Sequence, residues 1–150
     1  MSNYHTPAPI FSKRQLAFLD AQRAGRLATA TREGVPHVIP VCYAYGGASL
    51  YIALDAKPKR VAPERLRRVR NIMENPHVAL VIDRYSDDWS ELAYLLIQGV
   101  AELVQPDNPE HARAVALLRR RYVQYQSMPI EQQPAIAIRP TKVVGWPNVD

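Results

Sequence analysis

Between Arg26 and Asp55 three short runs of alternating and β-forming residues follow one another with hardly any chain between them. The first, 26–31, leads through Arg32-Glu33-Gly34-Val35-Pro36 into the second, 37–45; Gly46-Gly47 then leads into the third, 49–55, rich in β-formers at Leu50, Tyr51 and Ile52. Links this short cannot carry the chain back for parallel pairing, so the runs are expected to form antiparallel hairpins. Two more strands are read at 77–85 and 92–104, and a last one at 135–144, broken by Pro140.

Helices flank these strands. Ser12 opens a helical pattern with Leu16 and Leu19 on one face, Gln15 is placed for a reciprocal capping box, and Gly25 is expected to end the helix in the left-handed conformation. A second helix runs from about Pro63 to Asn75-Pro76, and a third starts at Pro109 with Ala112, Val115, Ala116, Leu118 and Tyr122 giving an apolar face. Six strands against three helices predict a mainly β fold with α elements, its antiparallel sheet closed or nearly closed into a barrel.

The 150 residues suit one domain, 1–150, and 47% hydrophobic against 22% charged residues place the chain among folded proteins. No apolar run approaches a bilayer span, and residues 1–10 lack the apolar core of a signal peptide. A cytoplasmic protein with no membrane association is the expectation. Cys42 is the sole cysteine, in an apolar run that suggests a buried, inert thiol. His5, His37, His77 and His111 are too scattered for a metal site, and no Gly-x-Ser-x-Gly elbow is present.

The net charge of +5 is concentrated in two arginine-rich stretches and implies an anionic ligand. The most telling segment is Tyr51-Ile52-Ala53-Leu54-Asp55-Ala56-Lys57-Pro58-Lys59-Arg60, a strand running into three cations and then a helix N-terminus. Lysine charge, bidentate arginine donors and the helix dipole together suit a phosphate, although a solvated basic loop has the same composition. Arg65, Arg67, Arg68 and Arg70 spread over more than one face of the following helix, so they cannot all serve one ligand.

The order of these segments resembles the pyridoxamine-phosphate-oxidase-like family, in the branch described as coenzyme F420-dependent oxidoreductases. The resemblance rests on Phe18-Leu19-Asp20-Ala21-Gln22, Gly25-Arg26-Leu27-Ala28-Thr29, Pro36-His37-Val38-Ile39-Pro40-Val41, Lys57-Pro58-Lys59-Arg60, Leu66-Arg67-Arg68-Val69-Arg70-Asn71-Ile72, Asp83-Arg84-Tyr85 with Asp88-Trp89, Gly99-Val100-Ala101-Glu102 and Gly145-Trp146. It implies a six-stranded antiparallel split β-barrel (the FMN-binding split barrel), a homodimer with cofactor sites built from both chains, and coenzyme F420 or FMN as cofactor. Val38, Ile39, Pro40 and Val41 would lie along the ring through backbone groups, and Ile52 and Ala53 would flank it. Lys57, Pro58, Lys59 and Arg60, with Arg67, would hold the phosphate, while Gln98 and Trp146 would reach the partner's cofactor. Tyr85 or Trp89 would either wall the substrate or pack the barrel's end.

The function so implied is hydride transfer between the cofactor and a small organic substrate, with no side chain required as nucleophile. A non-catalytic carrier or sensor of flavin, deazaflavin or haem on the same fold is the alternative. Nucleic-acid binding finds no recognised reading motif.

Overall fold

The computed structural model describes residues 10–54 and 66–150. Among these residues seven strands form one antiparallel sheet: β1 (Gly25–Ala30), β2 (Pro36–Val41), β3 (Ala44–Tyr45), β4 (Leu50–Ala53), β5 (His77–Arg84), β6 (Ala93–Val104) and β7 (Ala135–Pro147). The helices α1 (Lys13–Ala21), α2 (Arg67–Glu74) and α3 (Pro109–Arg121) pack around them. Ser12 caps α1 as its sequence predicts: its hydroxyl accepts from the Gln15 N–H at 3.1 Å, and the Gln15 side chain accepts from the Ser12 N–H at 3.0 Å.

The strand order is β2-β1-β5-β6-β7-β4-β3, which corrects the expected run of three consecutive hairpins. The predicted strand 37–45 is cut at Cys42-Tyr43, so β2 pairs with β1 while β3 pairs with β4 at the opposite edge of the sheet. Two residues therefore join the two edges, and the sheet curls into a barrel with a split between β2 and β4.

The physical reason for the cut lies 79 residues away. The Tyr122 hydroxyl accepts from the Tyr43 N–H at 3.1 Å and lies 3.0 Å from the Tyr43 carbonyl, taking both backbone groups out of any ladder. The Tyr43 ring is fully buried, with its hydroxyl 2.6 Å from the Leu19 carbonyl and 3.0 Å from that of Gln22 at the end of α1. Burial pushes this phenol above its ordinary pKa, with the Arg121 guanidinium pulling the other way.

Two further expectations change. Gly25 is not left-handed; it opens β1, where a Cβ would meet Leu80 Cδ1 at 2.9 Å, so close packing is its role. Positive φ falls instead on the turn residues Gly34 (88°) and Gly47 (92°), the latter in the β3–β4 hairpin. Nor does Pro140 break the last strand: β7 continues to Pro147, and the irregularity is taken up as a register shift at Gln98/Gly99 of β6.

The barrel interior is filled by Leu27, Leu50, Ile52, Leu80, Ile82, Leu95, Ile97, Ile136 and Ile138, closed by Phe18 and Leu19 of α1 and Val69 and Ile72 of α2. A second cluster packs Ala114, Val115 and Leu118 of α3 against Tyr51, Ala53, Ala135 and Ala137. β4 is thus buried on both faces, which fixes one wall of the split.

Candidate functional site

The split is a slot between two open strand edges. Among the described residues β2 ends the sheet and pairs only with β1, and on β4 Ile52 and Ala53 pair with β7 alone, because the two residues of β3 cover only Leu50 and Tyr51. Backbone groups on the facing edges are therefore outside the ladder, and a flat ligand with polar edges can use them. A cavity of about 190 Å³ sits here, lined by Ala24, Pro40, Val41, Cys42, Ile52, Ala53, Arg68 and Tyr125.

Four of the residues singled out by sequence, Pro40, Val41, Ile52 and Ala53, thus come together on this cavity although they lie on opposite edges of the sheet. Val38 projects outward and is 62% exposed, whereas Ile39 packs against the barrel core. Lys57, Pro58, Lys59 and Arg60 lie outside the described residues. On α2, Arg67 is exposed and is not among the lining residues; its neighbour Arg68 is, with a buried Nε that has no hydrogen-bond partner among the described residues. Helical phase separates the two: Arg68 stands one turn from the buried Asn71, which donates to the Thr29 hydroxyl at 3.0 Å.

Gln98 and Trp146 sit on the outer face of the sheet. Gln98 is exposed opposite Lys142, and Trp146 leans on Tyr94 across the β6–β7 ladder with ring centroids 6.1 Å apart. Tyr85 and Trp89 are both largely exposed, so neither packs the end of the barrel. Tyr85 borders a shallow depression with Tyr94, Trp146 and Pro147.

Cys42 departs from the expectation of a buried thiol. It is half-buried and forms part of the wall shared by the slot and a second cavity of about 410 Å³, lined by Arg23, Cys42, Tyr122, Gln124, Tyr125 and Met128. Sequence reading missed this second cavity. In sequence Tyr122 reads as part of the apolar face of α3, and residues 123–133 carry two short 3-10 turns with no periodic signal.

The far side of β4 is tied down by charge. Arg139 of β7 bonds both carboxylate oxygens of Glu110 at the start of α3, and also Glu102 and the Ser49 hydroxyl, the last at 2.8 Å. Tyr51 donates to Glu110 at 2.5 Å. Arg139 holds the Glu110 carboxyl at about 2, below its usual 4.5, against the cost of partial burial and with help from Tyr51. Among the described residues no group of three or more His, Cys, Asp or Glu side chains is placed to hold a metal ion. No helix among them is long and apolar enough to cross a membrane.

A family model for pyridoxamine 5'-phosphate oxidase matches residues 11–147. A 5a,11a-dehydrotetracycline/5a,11a-dehydrooxytetracycline reductase of Streptomyces rimosus is 33% identical over 73 residues, 49% of each chain, so the match spans about half of that curated relative. Among solved structures, an F420 reductase superposes with a TM-score of 0.63 at 26% identity, covering 85% of this chain and 94% of that one. The haem storage protein of Vibrio cholerae superposes with a TM-score of 0.71 at 16% identity, covering 86% and 89%, a likeness of fold alone.

Proposed function

Because the chain belongs to the pyridoxamine 5'-phosphate oxidase family, we propose that it is an oxidoreductase that holds a flavin-type cofactor, coenzyme F420 or FMN, in the slot between β2 and β4. One observation carries this reading: an apolar-walled slot between two open strand edges is bordered by a guanidinium whose buried Nε lacks a partner among the described residues. That donor set fits a flat ring system with an anionic tail.

In this reading Pro40 and Val41 lie along one side of the ring and Ile52 and Ala53 along the other, with edge backbone groups meeting its polar rim. Arg68 takes an anionic oxygen of the tail, and Lys57, Lys59 and Arg60 add charge from the segment between β4 and α2. The chemistry such a group supplies is hydride transfer to an electron-poor carbonyl or double bond. The protein's part is to orient the ring and to exclude water with the apolar walls.

The unit is proposed to be a homodimer. Val38 on β2 and Val144 and Trp146 on β7 are 62%, 37% and 57% exposed on the outer face of the sheet, large apolar side chains that a second copy would cover. Gln98, on the same face, would then stand near the partner's slot.

Titration of the purified protein with F420 and with FMN, followed by fluorescence, tests the reading. Binding of one of them is expected, weakened about tenfold or more by Arg68→Ala, the scale of one charge-assisted contact. No binding of either, or an unchanged affinity in the variant, overturns it. The haem alternative has less support from the lining, which contains no histidine among the described residues; a haem band in the purified protein would favour it.

A further inference from the structure

The 410 Å³ cavity exceeds the adjoining slot in volume and falls within the range of about 300–1,000 Å³ typical of small-molecule sites. We propose that it is the substrate pocket and that it takes a planar, conjugated anion, such as a carboxylate or enolate attached to a π system, which Arg23 holds by charge. The inference rests on the cofactor reading of the neighbouring slot, since Cys42 and Tyr125 wall both cavities and bring any occupant of one alongside the other.

The floor is aromatic. Tyr122 and Tyr125 are buried, with ring centroids 5.6 Å apart at 72°, and Met128 adds a polarizable thioether beside them. Such surfaces favour π-rich ligands over aliphatic ones of equal size. The floor is also held in place: Arg119 of α3 donates to the Tyr125 carbonyl at 3.0 Å and to the Met128 carbonyl at 2.9 Å, and the Tyr122 hydroxyl is locked between the backbones of Arg23 and Tyr43. Side chains fixed this way lose little entropy when a ligand arrives.

The rim selects an anion. Arg23 is exposed, its guanidinium lies 4.7 Å from the centre of the Tyr122 ring, and it donates to the Arg121 carbonyl at 2.6 Å. One nitrogen is thereby anchored while other N–H groups of the planar fork remain for a ligand. Among the described residues no Asp or Glu lines the cavity, and the nearby Arg119 and Arg121 pair with Glu131 and Asp20 outside it. Gln124, also exposed at the rim, supplies an uncharged donor and acceptor.

Coumarin carboxylate and its uncharged carboxamide serve as probes, with binding read by fluorescence on the protein without and with cofactor. The carboxylate is expected to bind about tenfold more tightly than the amide, one charge-assisted contact. Arg23→Gln should erase that preference, Arg23→Lys should restore part of it, and Met128→Trp should exclude both probes. Cys42, the chain's only thiol, supplies a second readout: bound carboxylate should slow its alkylation by iodoacetamide. Circular dichroism of each variant shows whether the fold survives, and the lysine variant keeps the test alive if the glutamine variant does not fold. Equal binding of the two probes, preference retained in Arg23→Gln, or binding without protection of Cys42 overturns the proposal. If F420 or FMN binds while the probes fail in these ways, the pocket is refuted and the cofactor reading stands. Arg23-dependent probe binding without binding of either cofactor is the reverse.

Discussion

Replacing Glu110 by glutamine removes the charge at the centre of the clamp that holds α3 on β4 and β7, while keeping the shape of the side chain. The carboxyl falls from 4.5 to about 2 on folding. Fully expressed, at about 1.4 kcal/mol per pH unit, that shift would contribute roughly 3 kcal/mol. The pair is not deeply buried, since the Glu110 and Arg139 side chains keep 26% and 36% of their exposure. Solvent screening reduces the expected loss to about 1–2 kcal/mol at neutral pH. Because the folded value is the depressed one, the contribution is complete above the unfolded value of 4.5 and disappears as pH falls through about 2. Urea unfolding of both proteins from pH 7 down to pH 2 reads the difference directly. The wild type should be the more stable at pH 5 to 7, and the two midpoints should converge toward pH 2. Equal midpoints at pH 7 with equal slopes, or a gap that persists unchanged at pH 2, would show that the ion pair contributes nothing and that Glu110 is held by packing alone.

Gly99→Ala puts a methyl against the Arg139 carbonyl at the register shift of β6 and should cost about 1–3 kcal/mol in thermal or chemical unfolding, with no loss expected if the strands can part freely. Ser12→Ala removes the accepting half of the α1 capping box and should cost about 1 kcal/mol by the same measurement; an unchanged midpoint would mean that the helix is held entirely by its tertiary contacts. Trp146→Asp places a charge on the outer sheet face and should weaken self-association at least about tenfold in sedimentation, whereas a wild type that stays monomeric at high concentration would refute the dimer.

Local pattern was enough for much of this molecule. The Ser12-Gln15 capping box, Pro109 at the head of α3, the alternating strands and the turn at Gly34 depend on interactions within a few residues of one another, and those interactions are written in short windows of the chain. So is the apolar chemistry of Pro40, Val41, Ile52 and Ala53. Their meeting across the split is another matter, because it requires the strand between them to stop pairing at Cys42-Tyr43. The agent is the Tyr122 hydroxyl, which no local window around Tyr43 contains. Arg68 rather than Arg67 borders the slot for a similar reason: both have the same composition and charge, and only the rotation of α2 against β1, set by Val69, Asn71 and Ile72, separates them. Residue type and spacing therefore decided the elements and their chemistry. Which edges face each other, and which cation stands between them, were decided by long-range hydrogen bonds and helix packing that exist only once the chain has closed on itself.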